Sequence, residues 1–312
     1  MGKFIDIGND GFRSARKTDY VDKSLLIDYV NSLLGSEHKF LCVTRARRFG
    51  KSMAAKMLNA YYDESCDSAV LFDDLKIAGK AGYAEHRNRY PVIYLDITYF
   101  TTTCRNAMSE VVEVMEREVK KELAARYPMV SPEENEPLAS YLVRIVDETH
   151  KPFIMIVDEW DAICREEKTP SGLMRDYVDW LRSMFKTSQT DKIFAGVYMT
   201  GILPIIQYDT QSALNNFHEY TMIKPGRIVD YFGFSREEVQ VLAAKNGMQW
   251  EELEKWYDGY QLGDPEETML RVALTLADYQ FPEKSEPKAT RAQQEKGSLL
   301  MLDASEQVRK PN

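Results

Sequence analysis

The sequence has few of the residues that build metal centres or disulfide frameworks. Its 312 residues include only four cysteines and four histidines, and no two cysteines stand in a C-x-x-C spacing. Cysteines scattered in this way argue against a structural zinc site and against a disulfide-stapled fold. We expect reduced thiols, which are typical of a cytosolic protein.

Long apolar runs and a signal sequence are also missing. No apolar run approaches the length that crosses a bilayer, and the first residues, MGKFIDIGNDG, lack the apolar stretch of a secretory signal. A myristoylation pattern needs Ser or Thr at position six, where the chain has Asp6. The net charge of -9 argues against a broad basic coat for nucleic acid. We therefore expect a cytoplasmic protein with no membrane partner.

Short apolar runs alternate with helical patterns along the first three quarters of the chain. The runs that predict strands lie at 39–44, 91–97, 153–157, 193–200 and 219–223. Apolar residues at three- and four-residue spacing predict helices at 108–123 and 173–185. Strands of continuous apolar character that alternate with helices predict an α/β fold, a parallel sheet with helices on both faces.

The pattern changes twice towards the C-terminus, so we divide the chain at 1–224, 225–263 and 264–312. The middle segment predicts a small helical lid: Ser235 followed by Glu238 is typical of a capping box, and QWEELEKWYDGY predicts a second helix. The last segment is polar and rich in helix breakers, apart from one predicted helix at 270–276. We expect this tail to be disordered.

The stretch VTRARRFGKS ends the first predicted strand and opens a helix. Gly50, Lys51 and Ser52 match the end of the phosphate-loop pattern G-x-x-x-x-G-K-[ST], although Arg45 stands in place of the first glycine. The tripeptide alone is a weak signal, but a helix N-terminus directly after a strand is an anion site. We predict that Lys51 contacts the β- and γ-phosphates of a nucleotide and that the Ser52 hydroxyl binds Mg²⁺.

A second apolar strand, FIMIV, ends in two carboxylates, Asp158 and Glu159. Asp158 is predicted to hold Mg²⁺, and Glu159 to polarise a water against the γ-phosphate. The alternative for this pair is an acidic turn after a buried strand. Thr200 ends a third strand, and we expect it near Asp158, where it senses the γ-phosphate or orients the water. Its alternative is a strand-end threonine before a glycine turn.

Several segments together resemble the bacterial AAA-ATPase-like family, whose members often carry a C-terminal nuclease-like domain of the PD-(D/E)xK type. They occur in the order DYVDKS, TRARRFGKS, FDDLKI, YPVIYLDIT, IVDEWDA, YMTGILPI, YFGFSREEV and WYDGY. The resemblance runs from about Phe4 to Tyr260. The family's loop usually reads R-P-R-R-F-G-K-S, so an arginine at the first position is normal for it. Ala46 replaces the usual proline and removes a restraint on φ.

The resemblance implies a P-loop NTPase of the additional-strand type with ATP and Mg²⁺ as cofactors. Residues 50–52 become the Walker A loop, and Asp158 with Glu159 the Walker B pair. The nucleotide-binding set also takes in Arg45, Arg48, Phe49 and Met53. The loop arginines, Arg47 included, either add charge beside the triphosphate or pair with acidic side chains. Phe49 would wedge the loop against the next helix.

Two further assignments stay open at this stage. Tyr20 or Asp22 lines an adenine pocket, or else their segment serves as a helix N-cap with Ser24. Arg182 and Arg227 are both candidates for a finger or lid arginine, and nothing in the sequence selects one.

The leading functional hypothesis is an ATP-binding and ATP-hydrolysing module that works as a nucleotide-driven switch. The alternatives are a nucleotide-binding interaction protein without turnover and a P-loop phosphotransferase. Self-association is open, and DNA as a partner follows only from the family association. The tail lacks the Asp and Glu-x-Lys strands of a PD-(D/E)xK site. We therefore expect no metal-dependent nuclease activity, as in an ATPase module that has lost its effector through truncation or a shifted reading frame.

Overall fold

The computed structural model describes residues 2–165, 171–205, 214–247, 260–262 and 269–271. Its main sheet has five strands, all parallel, with helices on both faces, as the alternation of strands and helices predicts. The strands are β1 Phe40–Thr44, β2 Val92–Asp96, β3 Phe153–Asp158, β4 Phe194–Gly201 and β5 His218–Tyr220.

Twelve α-helices lie in the described part of the chain. They are α1 Asp10–Ala15, α2 Leu25–Asn31, α3 Lys51–Tyr62, α4 Ala69–Phe72, α5 Tyr83–His86, α6 Ile97–Thr103, α7 Val111–Arg126, α8 Leu138–Thr149, α9 Ala162–Arg165, α10 Ser171–Phe185, α11 Thr190–Ile193 and α12 Arg236–Lys245. Short 3-10 helices occupy Lys76–Gly79, Met108–Glu110 and Gly226–Tyr231. None of these helices has both the length and the apolar composition that are needed to cross a membrane.

The strand order is β2-β3-β4-β1-β5, so β4 is inserted between β1 and β3. This is the arrangement that the additional-strand type of P-loop fold implies. In the parallel register, Thr44 of β1 lies beside Gly201 of β4, and Asp96 of β2 lies beside Asp158 of β3. The carboxyl ends of these four strands therefore meet at one edge of the sheet, where α/β proteins bind their ligands.

Strands β1 to β4 send alternate side chains into two separate cores, one on each face of the sheet. On β3, Met155 belongs to the first core and Ile156 to the second. Helices α7, α8 and α10 cover the first core, and α2 and α3 cover the second. Both faces are buried, which explains why the strands read as continuous apolar runs in the sequence.

The N-terminal segment covers the free edge of β2. Ile5 forms an antiparallel bridge with Ile93, and the Tyr94 N–H donates to the Phe4 carbonyl at 2.7 Å. The Glu122 carboxylate of α7 accepts the backbone N–H groups of three consecutive residues, Lys3 to Ile5. This covering satisfies backbone groups that an exposed edge strand would leave unpaired.

Sequence prediction and structure agree on the first four strands to within one or two residues, and differ nearer the C-terminus. The fifth strand is His218–Tyr220 where the sequence predicted 219–223. Residues 270 and 271 are not helical, because a strand β7, Met269–Arg271, pairs antiparallel with β6, Tyr260–Leu262, and uses their backbone groups in its ladder. Tyr260, the last residue of the second helix predicted in the lid, is also not helical, because it lies in β6. The rest of that predicted helix and of the tail lies outside the described residues. The boundaries at 225 and 264 stay predictions.

Helix α12, in the segment predicted to be a lid, begins with the predicted capping box. The Ser235 hydroxyl accepts the Glu238 N–H at 3.2 Å, and the Glu238 carboxylate accepts the Ser235 N–H at 2.8 Å. The helix is also tied to the segment before α2 at both ends: Lys23 pairs with Glu238 at 2.6 Å, and Lys245 pairs with Asp19 at 2.7 Å. The segment that contains Asp19 and Lys23 therefore fastens α12 to the body that carries the sheet.

We expect Ser235→Ala to destabilise α12 by about 1 kcal/mol, because the Glu238 N–H loses its acceptor. Amide hydrogen exchange resolved to this helix measures the effect. Ser235→Asp is the matched control, since aspartate caps a helix about as well as serine and should preserve protection. Equal protection in wild type and Ser235→Ala would show that the tethers at Lys23 and Lys245 hold the helix without the cap.

Candidate phosphate-binding site

The loop between β1 and α3 has the backbone shape of an anion site. Gly50 lies at φ 80°, a left-handed conformation that side chains disfavour. A Cβ added there would meet no atom within 4 Å, so the loop backbone faces open space. The first N–H groups of α3 have no partner within the helix. Space, free donors and the positive end of a helix dipole together fit a phosphate group.

Lys51 is buried beneath this loop, with 4% of its side chain exposed. Its Nζ donates to the Ala46 carbonyl at 3.1 Å and lies 3.9 Å from Glu159 Oε1. Burial lowers the pKa of the lysine, and the negative charges of Glu159 and Asp158 oppose that shift. The ammonium thus has one hydrogen bond and a distant ion pair, which leaves donor capacity for an incoming anion.

The other predicted loop residues are placed unequally. Ser52 is half-buried on the first turn of α3, Met53 is 36% exposed, and Phe49 is buried. Arg47 and Arg48 are exposed. These placements leave Ser52 and the two exposed arginines accessible at the loop, while Phe49 belongs to its packed base.

Arg45 lies inside the protein and not at the accessible rim of the loop. Its side chain is fully buried, and its Nη1 donates to the carbonyls of Thr44 and Tyr220 at 2.9 and 2.6 Å. The guanidinium lies 5.5 Å from the ring centre of Phe232. Burial lowers the pKa of Arg45 to about 10. The residue therefore joins the loop to β5 and to the approach to α12, and no acidic side chain pairs with it in the described residues.

Asp158 is held at the end of β3 by two hydroxyl groups. Thr200 Oγ1 donates to Oδ1 at 2.5 Å, and Tyr94 Oη donates to Oδ2 at 3.2 Å. The carboxylate is 5% exposed, and hydrogen bonds stabilise it there. The structure thus brings Thr200 to Asp158, as the strand-end argument predicted.

Glu159 follows in a left-handed backbone conformation, with φ 55°. Its N–H donates to Thr200 Oγ1 at 3.2 Å. Its Oε2 forms an ion pair with Nη2 of Arg165, and its Oε1 faces Lys51. Burial raises the pKa of this carboxyl, and the positive charges of Lys51 and Arg165 oppose the shift. The pKa values of Lys51 and Glu159 move towards each other, so burial outweighs their 3.9 Å attraction at both groups.

Asp161, three residues beyond Asp158, is fully buried. Its Oδ2 accepts the N–H groups of Ile202 and Leu203 at 3.1 and 2.9 Å and lies 3.1 Å from Nε of Arg165. A Cβ on Gly201 would come within 2.9 Å of Asp161 Oδ1 and within 2.5 Å of the Trp160 indole nitrogen. Glycine at the end of β4 therefore leaves the room that the turn after β3 occupies.

The segment at 19–24 does not cap α2 as predicted. Ser24 makes no side-chain cap, because its Oγ accepts the Ile77 N–H at 3.1 Å. Asp22 accepts the N–H groups of Ser24 and Lys76, both at 2.8 Å. Tyr20 packs edge-to-face on Phe12, and its hydroxyl donates to Met57 Sδ at 3.4 Å. Asp22 also borders a cavity of about 320 Å³ with Leu25, Tyr231 and Ser235.

A family model described as "Predicted AAA-ATPase" matches residues 6–210, about two thirds of the chain. The chain belongs to the AAA-ATPase-like family. The match contains the candidate phosphate loop, β3, the carboxylates Asp158 and Glu159, and Thr200. It ends before α12, so the lid segments of the resemblance lie beyond it. A search among curated proteins found no match.

Sequence reasoning missed four residues that shape this site of the AAA-ATPase-like chain: Tyr94, Asp96, Asp161 and Arg165. The sequence held a signal for Asp96, because this residue ends β2 just as Asp158 ends the neighbouring β3. In the structure, Asp96 Oδ1 caps α6, and burial raises the pKa of this carboxyl. Arg165 stands four residues after Asp161, a spacing that predicts an ion pair on a helix. Tyr94 gave no signal, because a tyrosine inside an apolar strand is ordinarily a core residue.

We expect Thr200→Val to lower the free energy of unfolding by about 1–3 kcal/mol, because the buried Asp158 oxygen loses its donor. Thr200→Ser keeps the hydroxyl and removes only a methyl group, so it should cost less. Urea unfolding of the two variants without nucleotide makes the comparison. A serine variant as unstable as the valine variant would mean that packing around the methyl group, and not the hydrogen bond, sets the cost.

Proposed function

We propose that this chain binds ATP with Mg²⁺ and hydrolyses it, as a nucleotide-driven switch. The observation that carries the proposal is the meeting of Lys51, on the phosphate loop, with Glu159, at the end of β3, across 3.9 Å at one edge of the sheet. A cation for the phosphates and a carboxylate for the attacking water are the two groups that hydrolysis at a P-loop needs.

In this proposal the loop backbone around Gly50 and the Lys51 ammonium hold the phosphates. Arg48 lies exposed on the rim with Met53, where both would flank the nucleotide. Arg45 and Phe49 are both buried, so they would support the loop from its inner side. The cavity beside Asp22 is the candidate site for the adenine base. Tyr231 lines this cavity, and two residues later the Gly233 N–H donates to the Phe49 carbonyl, which links the cavity to the loop.

Magnesium fits the oxygen ligands at this edge. In the residues placed by the structure, no three His, Cys, Asp or Glu side chains form a ready metal cage. Mg²⁺ does not need one, because it takes one or two protein oxygens and completes its octahedron with phosphates and water. Ser52 would supply a hydroxyl oxygen. Asp158 retains lone pairs beyond its bonds to Thr200 and Tyr94, enough to hold the ion directly or through water.

For the chemical step, Glu159 would take a proton from the attacking water. Thr200 would serve this step through its hydroxyl, which contacts both Asp158 and the Glu159 backbone and so fixes the two carboxylates relative to each other. The magnesium ion would neutralise charge on the phosphates. Measuring phosphate release with and without candidate acceptor molecules distinguishes this hydrolase from a phosphotransferase.

The lid supplies the switch in this proposal. Helix α12 is linked to the loop through the hydrogen bond between Gly233 and Phe49 and to the body through Lys23 and Lys245. A nucleotide bound between the loop and this region would change the relative strength of the hydrogen bond to the loop and the ion pairs to the body. The position of α12 would then report whether nucleotide is bound.

We expect Lys51→Ala to weaken ATP binding by about 1.5–3 kcal/mol or more, because a charge-assisted contact to the phosphates is lost. Titration calorimetry with ATP and Mg²⁺ measures the change. Lys56→Ala, an exposed lysine on the same helix, is the matched control and should bind like wild type. An unchanged affinity in Lys51→Ala would contradict the assignment of residues 50–52 as a phosphate loop.

We expect Glu159→Gln to bind ATP and to hydrolyse it about 10²–10⁴ times more slowly, because the amide keeps the shape and loses the base. Single-turnover phosphate release gives the rate. Glu148→Gln, at an exposed position on α8, should hydrolyse at the wild-type rate.

Asp158→Asn distinguishes the role of Asp158 from that of Glu159. This variant should lose the part of ATP binding that depends on Mg²⁺, while Glu159→Gln keeps it. Wild-type turnover in Glu159→Gln would place the water-activating group elsewhere.

A further inference from the structure

Arg165 forms ion pairs with two carboxylates, one partly exposed and one fully buried. Its Nη2 pairs with Oε2 of Glu159, and its Nε lies 3.1 Å from Oδ2 of Asp161. Arg165 and Glu159 are each 22% exposed, whereas Asp161 is fully buried. One end of this bridge is therefore fixed in the protein interior, and the other lies at the accessible edge of the site.

The fixed end is well anchored. Asp161 Oδ2 accepts two consecutive backbone N–H groups, those of Ile202 and Leu203, directly after β4. A chain of contacts thus runs from the backbone after β4 through Asp161 and Arg165 to one oxygen of Glu159. The other oxygen of Glu159 is left facing Lys51.

We propose that Arg165 is the positioning residue of Glu159, with Asp161 as its anchor, and that this bridge aims the free carboxylate oxygen at the phosphate loop. The inference rests on the proposed hydrolysis of ATP, and it names the group that makes Glu159 competent. Arg165 acts through Glu159 and needs no contact with the nucleotide. A base oriented by a third group is the general arrangement of an activated catalytic pair.

Glu159 needs such a restraint once nucleotide binds. Without nucleotide its carboxylate is held between Lys51 and Arg165. A triphosphate on the loop takes over Lys51, so Arg165 becomes the remaining cation that holds the glutamate. The backbone of Glu159 is in a left-handed conformation, which aims the side chain away from the usual strand direction, and a long side chain has several rotamers to choose from.

The first test compares kcat, KM and nucleotide affinity in Arg165→Gln and Arg165→Lys. A misplaced general base loses up to about 100-fold in rate, so Arg165→Gln should lower kcat by about 10- to 100-fold. Affinity for a non-hydrolysable ATP analogue, measured by calorimetry, should stay within about twofold of wild type, since no nucleotide contact is lost. Arg165→Lys should recover part of kcat, because one ammonium pairs with Glu159 but does not bridge both carboxylates.

The second test uses the anchor. Asp161→Asn keeps an oxygen for the two backbone N–H groups and removes the charge that holds Arg165, so it should lower kcat in the same direction with affinity unchanged. The double variant should be no slower than the slower single variant, because both changes break one bridge. The same non-additivity should appear in thermal unfolding without nucleotide, which tests the bridge apart from catalysis. If Asp161→Asn does not fold, the two Arg165 variants decide alone.

Three results for Arg165→Gln would overturn the proposal. The first is an unchanged kcat. The second is a raised kcat, which would mean that the ion pair restrains Glu159 from acting, and the third is a loss of affinity as large as the loss in kcat, which would mean that Arg165 binds the nucleotide itself. Failure of the proposed function looks different. In that case the wild-type chain releases no phosphate, or Glu159→Gln turns over like wild type, whatever Arg165 does.

Discussion

Burial of negative charge at the carboxyl edge of the sheet is the constraint on which the site depends. Asp158 is 5% exposed and Asp161 is fully buried, and a buried carboxylate without partners is too costly to keep charged. Each acidic group therefore has polar partners. Two hydroxyls donate to Asp158, two backbone N–H groups donate to Asp161, and Arg165 forms ion pairs with both Asp161 and Glu159, the latter also facing Lys51. These partners come from β2, β4, α3 and α9, so the pairing also fixes the elements around the site.

The insertion of β4 between β1 and β3 makes this pairing possible. Only a strand in that place brings Thr200 within 2.5 Å of Asp158 while its next residues supply N–H groups to Asp161. Gly201, between them, leaves space for the turn that carries Trp160 and Asp161. One strand end thus serves both carboxylates, and an error in its register would leave both without donors.

Much of the fold follows from the sequence, and the site follows only in part. The buried strands, the parallel sheet and the capping box of α12 were predictable, because continuous apolar runs and cap residues carry local physics. The place of β4 came from family resemblance, since strand order depends on contacts between distant segments. Strand ends led to Asp158 and Thr200. They did not lead to the buried position of Arg45, the left-handed Glu159 or the bridge through Arg165, which depend on side-chain directions set by the assembled fold.

The same packing leaves the Lys51 ammonium with unused capacity to donate hydrogen bonds. Its ammonium has already lost most of its water, with 4% of the side chain exposed, and one carbonyl at 3.1 Å and one carboxylate oxygen at 3.9 Å only partly replace that water. In the proposed function a phosphate would therefore gain a strong charge-assisted contact without having to desolvate the lysine. Glu159 would lose its distant partner in the exchange and keep Arg165. Anion binding at the loop and the orientation of the Glu159 carboxylate would then be linked through a single ammonium group.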